Sequence, residues 1–193
     1  MKAILTLCVI VFCLTLPQPV NAWSPIGATW PSLPVPYNVN VASSQELGQE
    51  MSISVIQGSY ESWTSPPCSS YRVQYRGTTS QSWTSGDGVN THQWVYSSNQ
   101  RPAELGGRET IGVTLSLYRG TELIDGDIIY NGIDHQWTTR ATRAGEVDAQ
   151  SIITHEVGHQ LGLGHSNING ATMYPSYGGG EGPRSLHQDD VEG

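Results

Sequence analysis

The sequence predicts an α+β domain: one mixed, twisted sheet, a long first helix, a second helix in the middle of the domain, and an irregular C-terminal part. Three observations carry this. Apolar side chains alternate at two-residue spacing in short segments on both sides of an early helical stretch. A second helical pattern begins only near residue 148, and the chain beyond it has no long periodic run.

Residues 3–16 form an apolar run of 14 behind Met1 and Lys2, and 17–22 end in Val20-Asn21-Ala22. That is the layout of a secretory signal peptide cut after Ala22, and the run is shorter than the roughly 20 residues a bilayer span needs. The expected mature chain, 23–193, is one domain, secreted, monomeric and free of the membrane once the signal is removed. It keeps eight Arg and no Lys against 17 Asp plus Glu, a net charge of −9. Such a chain is a poor partner for nucleic acid or anionic membranes. Cys8 and Cys13 fall in the signal, which leaves Cys68 without an internal partner and excludes a disulfide-stapled scaffold.

A proline-rich entry, 30–36, leads into alternating Tyr37, Val39 and Val41, a half-buried strand. Ser43-Ser44-Gln45-Glu46 has capping-box form and opens a helix placed at 45–62. Leu47, Met51 and Val55 make one row along it; Ile53, Ile56, Tyr60 and Trp63 make the next, and Pro66-Pro67 stops it. Tyr71, Val73 and Tyr75 alternate, followed by a Gly/Ser/Thr-rich loop at 77–88. Further strands are expected at 89–96, at Ile111, Val113, Leu115 and Leu117, and at 123–130; Asp148 caps the second helix.

One segment carries chemistry: His155-Glu156-Val157-Gly158-His159-Gln160-Leu161-Gly162-Leu163-Gly164-His165. Histidines at i and i+4 leave one helix face together, at a spacing that suits two corners of a tetrahedral zinc site. Glu156 is rotated aside, placed to act on a water rather than to ligate. Gly162 can take the left-handed conformation that ends a helix and turns the chain back, which returns His165 as third ligand. Three neutral histidines leave a fourth position open, as in catalytic sites. The five fixed positions would coincide by accident in roughly one in 10⁵ chains of this length. Ile153, Val157 and Leu161 give the helix an apolar back. Gly158 in mid-helix costs about 1 kcal/mol relative to Ala, and is read as room for another backbone to pass beneath the metal.

The segment resembles the extended zinc signature of the metzincin endopeptidases, and Ser166 after the third histidine resembles the matrixin (matrix metalloproteinase) branch. Met173 in Ala171-Thr172-Met173-Tyr174-Pro175 is similar to the methionine turn under the metal; 185–193 resembles the start of the last helix and 123–131 the fifth strand. The resemblance implies a metzincin-like zincin fold and a zinc-dependent endopeptidase acting on polypeptides, with Glu156 as general base toward a zinc-activated water. It implies an extended substrate along the edge strand near 110–118, at Val113 and Leu115, and a pocket wall at Tyr174, Pro175 and Tyr177. It also implies a last helix running past Gly193. No Pro-Arg-Cys-Gly switch precedes the domain, no tyrosine stands two residues beyond Met173, and His92 and His135 are too few for the family's structural zinc set.

Lesser signals have bland readings. Asp125-Gly126-Asp127 could ligate Ca2+ but is read first as a polar kink in an edge strand, since calcium takes 6–8 oxygens. Asp189-Asp190 is read as a helix cap ahead of a brace for the methionine turn. Cys68 is read as an unpaired thiol, and His92, His135 and His187 as surface or core residues. The alternative function is a secreted zinc-binding adhesion or recognition domain with little proteolysis, against which Glu156 itself argues.

Overall fold

The computed structural model describes residues 24–140, 143 and 145–193; the expected signal peptide, 1–22, lies outside the described residues. Five strands form the main sheet: β1 (Val35–Asn40), β2 (Val73–Thr79), β3 (Thr91–Val95), β4 (Gly112–Arg119) and β5 (Glu122–Asn131), in the order β2-β1-β3-β5-β4. All neighbours pair in parallel except β4, which runs antiparallel to β5 through the tight turn at Gly120. β4 is therefore an edge strand. Helix α1 (Gly48–Thr64) crosses from β1 to β2, and α2 (Ala149–Leu161) packs against it and against β4 and β5. A short parallel pair, β6 (Gln136–Thr138) and β7 (Glu146–Asp148), leads into α2, and α3 (Gln188–Glu192) closes the described chain. The architecture is the expected α+β class with a mixed sheet.

The main core joins Val35, Tyr37 and Val39 of β1, Val55, Ile56, Tyr60 and Trp63 of α1, and Ile153 and Val157 of α2. A smaller cluster of Val95, Leu105 and Ile129, with Val113 and Leu115 against it, occupies a separate part of the sheet. β3 is buried along its whole length, which is why its sequence does not alternate.

Several local expectations shift. Helix α1 begins at Gly48 because Ser44, not Ser43, accepts from the Leu47 amide (3.2 Å) in a preceding turn, while Ser43 Oγ donates to Asn40 O. Met51 is 44% exposed. The buried face instead includes Ser52 and Ser59, whose hydroxyls donate to backbone oxygens one turn back. Val41 lies outside β1 and is exposed. Strand β5 is interior, not an edge, and Asp125 and Asp127 on it are fully buried.

Behind α2 a buried polar chain crosses the core. Tyr60 Oη lies 2.8 Å from His92 Nε2 and donates to Gln160 Oε1 (2.6 Å), while His92 Nδ1 lies 2.7 Å from Tyr130 Oη. Gln160 Nε2 in turn donates to Gly126 O on β5. His92 is a core residue held neutral: burial pushes its pKa down to about 3.

Candidate metal centre and cleft

Asp148 caps α2, accepting from the Ser151 amide (3.1 Å). About two and three turns on, His155 and His159 project from the same face, with Nε2 atoms 3.1 Å apart. Gly162 ends the helix at φ 117°, ψ 10°, with its amide returned to Gly158 and His159 carbonyls. The reversed chain brings His165 Nε2 to 3.2 Å from His159 Nε2. Residues 24–28 brace this reversal: the Ile26 amide donates to Gly162 O (2.9 Å) and the Gly164 amide to Ser24 O. A Cβ on Gly162 would lie 2.8 Å from Ala28 O, so glycine is required there by crowding as well as by φ.

The histidine tautomers follow from the carbonyls they face. His155 Nδ1 is 2.7 Å from Thr172 O and His159 Nδ1 is 2.8 Å from Leu163 O, so each Nδ1 donates and each Nε2 presents a lone pair. Lone pairs aimed at each other repel unless an electrophile lies among them. Tetrahedral zinc, with Zn–N of about 2.0–2.1 Å, holds its nitrogens about 3.3–3.4 Å apart, close to the separations here. All three ligand atoms lie within 4.8 Å of one another. Burial holds His159 and His165 below the ordinary histidine pKa, which favours the neutral, ligating form.

Glu156 is buried beside the triad. Its Oε2 accepts from Thr114 Oγ1 on β4 (2.8 Å), and its Oε1 lies where a Cβ on Gly112 would come within 3.1 Å. Met173 is fully buried beneath α2. A Cβ at Gly158 would collide with Met173 Sδ and lie 2.7 Å from Trp63 Cζ2. The small residue thus makes room for two side chains, not for a passing backbone. Asp190 does more than cap α3: Oδ2 accepts from the Thr172 and His187 amides (both 2.8 Å) and Oδ1 from the Met173 amide (3.0 Å). The brace that the sequence reading placed second is present alongside the cap.

A cleft of about 900 Å³ runs over the triad between β4 and residues 171–183. Tyr174, Pro175 and Tyr177 line it, as does Val113; Leu115 does not, its side chain packing with Val95, Leu105 and Ile129. The Asn131 amide donates to Ile111 O, so backbone groups of Ile111, Val113 and Leu115 point to β5. Those of Gly112, Thr114 and Ser116 face the free edge. His135, read as a surface or core residue, also lines the cleft, with Nε2 buried and without a partner among the described residues. The sequence marks Gly112 and Thr114 only as part of the expected substrate strand, and His135 not at all: their place at the site comes from distant fold contacts, with no motif around them.

An α+β domain with three converging histidines over a cleft, and a buried glutamate beside them, defines a domain of the zinc-metallopeptidase class. The matrixin peptidase family model matches residues 30–193, and the chain belongs to that family. Metalloendoproteinase 5-MMP of Arabidopsis thaliana is 49% identical over 47 residues, 24% of this chain and 13% of that protein. Matrilysin of Homo sapiens is 42% identical over 62 residues, 31% of this chain and 22% of that protein. Matrix metalloproteinase-9 of Canis lupus familiaris is 55% identical over 42 residues, 22% of this chain and 6% of that protein. The matches span less than a quarter of the length of these relatives.

Proposed function

We propose that the chain is a secreted endopeptidase that binds one zinc ion on His155, His159 and His165 and hydrolyses peptide bonds within extended polypeptides. The observation that carries this is the convergence of three Nε2 atoms, two of them left with a free lone pair by carbonyls on the opposite ring nitrogen. Zinc held there would polarise the scissile carbonyl and activate a water for attack. Glu156 takes the proton from the attacking water and delivers it to the leaving amine as the C–N bond breaks. The free-edge backbone groups of β4 pair with the extended substrate, and Tyr174, Pro175 and Tyr177 wall the side-chain pocket. Gly162 and Met173 support the site from below without touching the reacting atoms.

Residues 1–22 direct export as a signal peptide, and 23–193 act as one monomeric domain. Among the described residues no helix is long and apolar enough to cross a membrane. Calcium is a second, structural ion in this reading. Among the described residues Asp125 Oδ1 and Asp127 Oδ2 are both buried without a hydrogen-bond partner, a pair of carboxylate oxygens that a hard cation would satisfy.

The test is zinc content and cleavage of an unfolded protein by residues 23–193, beside Glu156→Ala. Zinc in both with cleavage only in the unmutated chain is the expected result. Zinc with cleavage in neither would turn the assignment to a recognition domain, and a folded chain without zinc would overturn both.

A further inference from the structure

We propose that Thr114 and Gly112 of edge strand β4 are positioning residues for the Glu156 carboxylate, which they tie to the strand that receives the substrate. This rests on the peptidase reading above. Thr114 Oγ1 lies 2.8 Å from Glu156 Oε2 and 2.8 Å from the Glu156 backbone oxygen. Both are acceptors, so the hydroxyl is the donor, and the charged carboxylate is the stronger claimant for its one proton. Among the described residues no other side chain donates to this carboxylate. The second arm is fixed by shape. A Cβ at Gly112 would come 3.1 Å from Oε1, 3.2 Å from Cγ and 3.3 Å from Cδ, so the missing side chain is the slot in which the carboxyl group lies.

The two residues are two apart on one strand, so their side-chain positions share the face toward α2 and their backbone groups share the free edge. A peptide pairing with that edge therefore lies on the residues that hold the base. Oε2 is engaged by Thr114 and Oε1 rests against Gly112, so the strand fixes both oxygens of the base. The register of substrate and the aim of the base are set by one piece of backbone, which is the pre-alignment that makes proton transfer effective.

The experiment uses the zinc-loaded chain and its Thr114→Val, Thr114→Ser, Gly112→Ala and Glu156→Gln variants, read by zinc content, kcat and KM separately, and a crystal structure of Thr114→Val. Thr114→Val should keep its zinc and KM while kcat falls about 10- to 100-fold, the loss of one hydrogen bond to a charged group. Thr114→Ser should stay close to the unmutated chain, Gly112→Ala should fall like Thr114→Val, and the carboxylate should leave its slot in the Thr114→Val crystal. The proposal is overturned by unchanged kcat in Thr114→Val, by equal loss in Thr114→Ser, by a loss that tracks zinc content, or by an unmoved carboxylate. A zinc-loaded, unmutated chain with no cleavage sinks the peptidase reading instead, and the crystal structure then decides the positioning claim alone.

Discussion

Asp148 and Arg184 meet as a two-pronged ion pair, Nε to Oδ2 at 2.9 Å and a terminal guanidinium nitrogen to Oδ1 at 2.5 Å. The same carboxylate caps α2, and the same guanidinium donates to Thr139 O, so one contact fastens the start of α2 to the loop that walls the cleft. Asp148 is fully buried. Arg184→Leu leaves that charge unpaired and should cost about 3 kcal/mol in urea unfolding, with a raised KM as the wall loosens. A variant of unchanged stability would show that the cap alone satisfies Asp148.

His92 predicts an acid weakness. Its folded pKa lies near 3 while an unfolded histidine titrates near its ordinary 6.5, so between those values the unfolded chain binds a proton that the folded chain refuses. Stability from this group is complete above about pH 6.5 and is lost as pH falls toward 3, amounting to about 2 kcal/mol by pH 5. Urea midpoints of the unmutated chain and His92→Gln, measured from pH 8 to pH 5, should differ in slope over this range. Parallel curves would exclude His92 as the cause.

The buried aspartates predict the opposite trend. Burial, and next after it the charge of Asp125, push Asp127 up to about 7 against the stabilising Thr91 amide. A raised carboxylate favours the fold below the unfolded pKa near 3.8, and that contribution is lost as pH rises through about 7. Calcium on the order of millimolar should therefore raise Tm more at pH 8 than at pH 5.5. Asp127→Asn should abolish the calcium response and stabilise the metal-free chain at pH 8. A Tm indifferent to calcium at both pH values would remove the site.

Gly158 and Met173 predict a reversal of sign. In the unmutated chain Gly158→Ala gains about 1 kcal/mol of helix propensity but drives a Cβ into Met173 Sδ and Trp63, for a net loss of about 1–2 kcal/mol. Met173→Ala opens a cavity beneath α2 and should cost about 2–5 kcal/mol. With that space open Trp63 can shift into it, and adding Gly158→Ala should then be neutral or stabilising. Additive losses in a double-mutant cycle would show that the two residues are not coupled.

What could be read from the sequence was what covalent spacing dictates. His155 and His159 share a helix face because they are four apart, Gly162 marks the end of that helix, and Asp148 its start. What could not be read depends on residues far apart in the chain. Thr114 lies 42 positions from Glu156, and nothing beside it in sequence shows that its hydroxyl points at a carboxylate. Ser52 and Ser59 sit on the buried face of α1 because their hydroxyls are satisfied within the helix, so a search for apolar rows chose the exposed Met51 instead. β6 and β7, three residues each, are too short to show a period. Gly158 was recognised as a contact point, but only the fold shows that side chains, not backbone, fill the space.

The unpaired side of β4 has a cost outside catalysis. A ladder of free amides and carbonyls does not distinguish a substrate from any other extended chain, so an unfolded neighbour of the same kind can dock on it as readily. Charge does not guard the strand either: from Gly112 to Tyr118 it carries no ionisable group other than the tyrosine, and the first guanidinium comes at Arg119. The chain should be least prone to aggregate when a peptide-like inhibitor occupies that edge, and most prone when the cleft is empty and the protein concentrated.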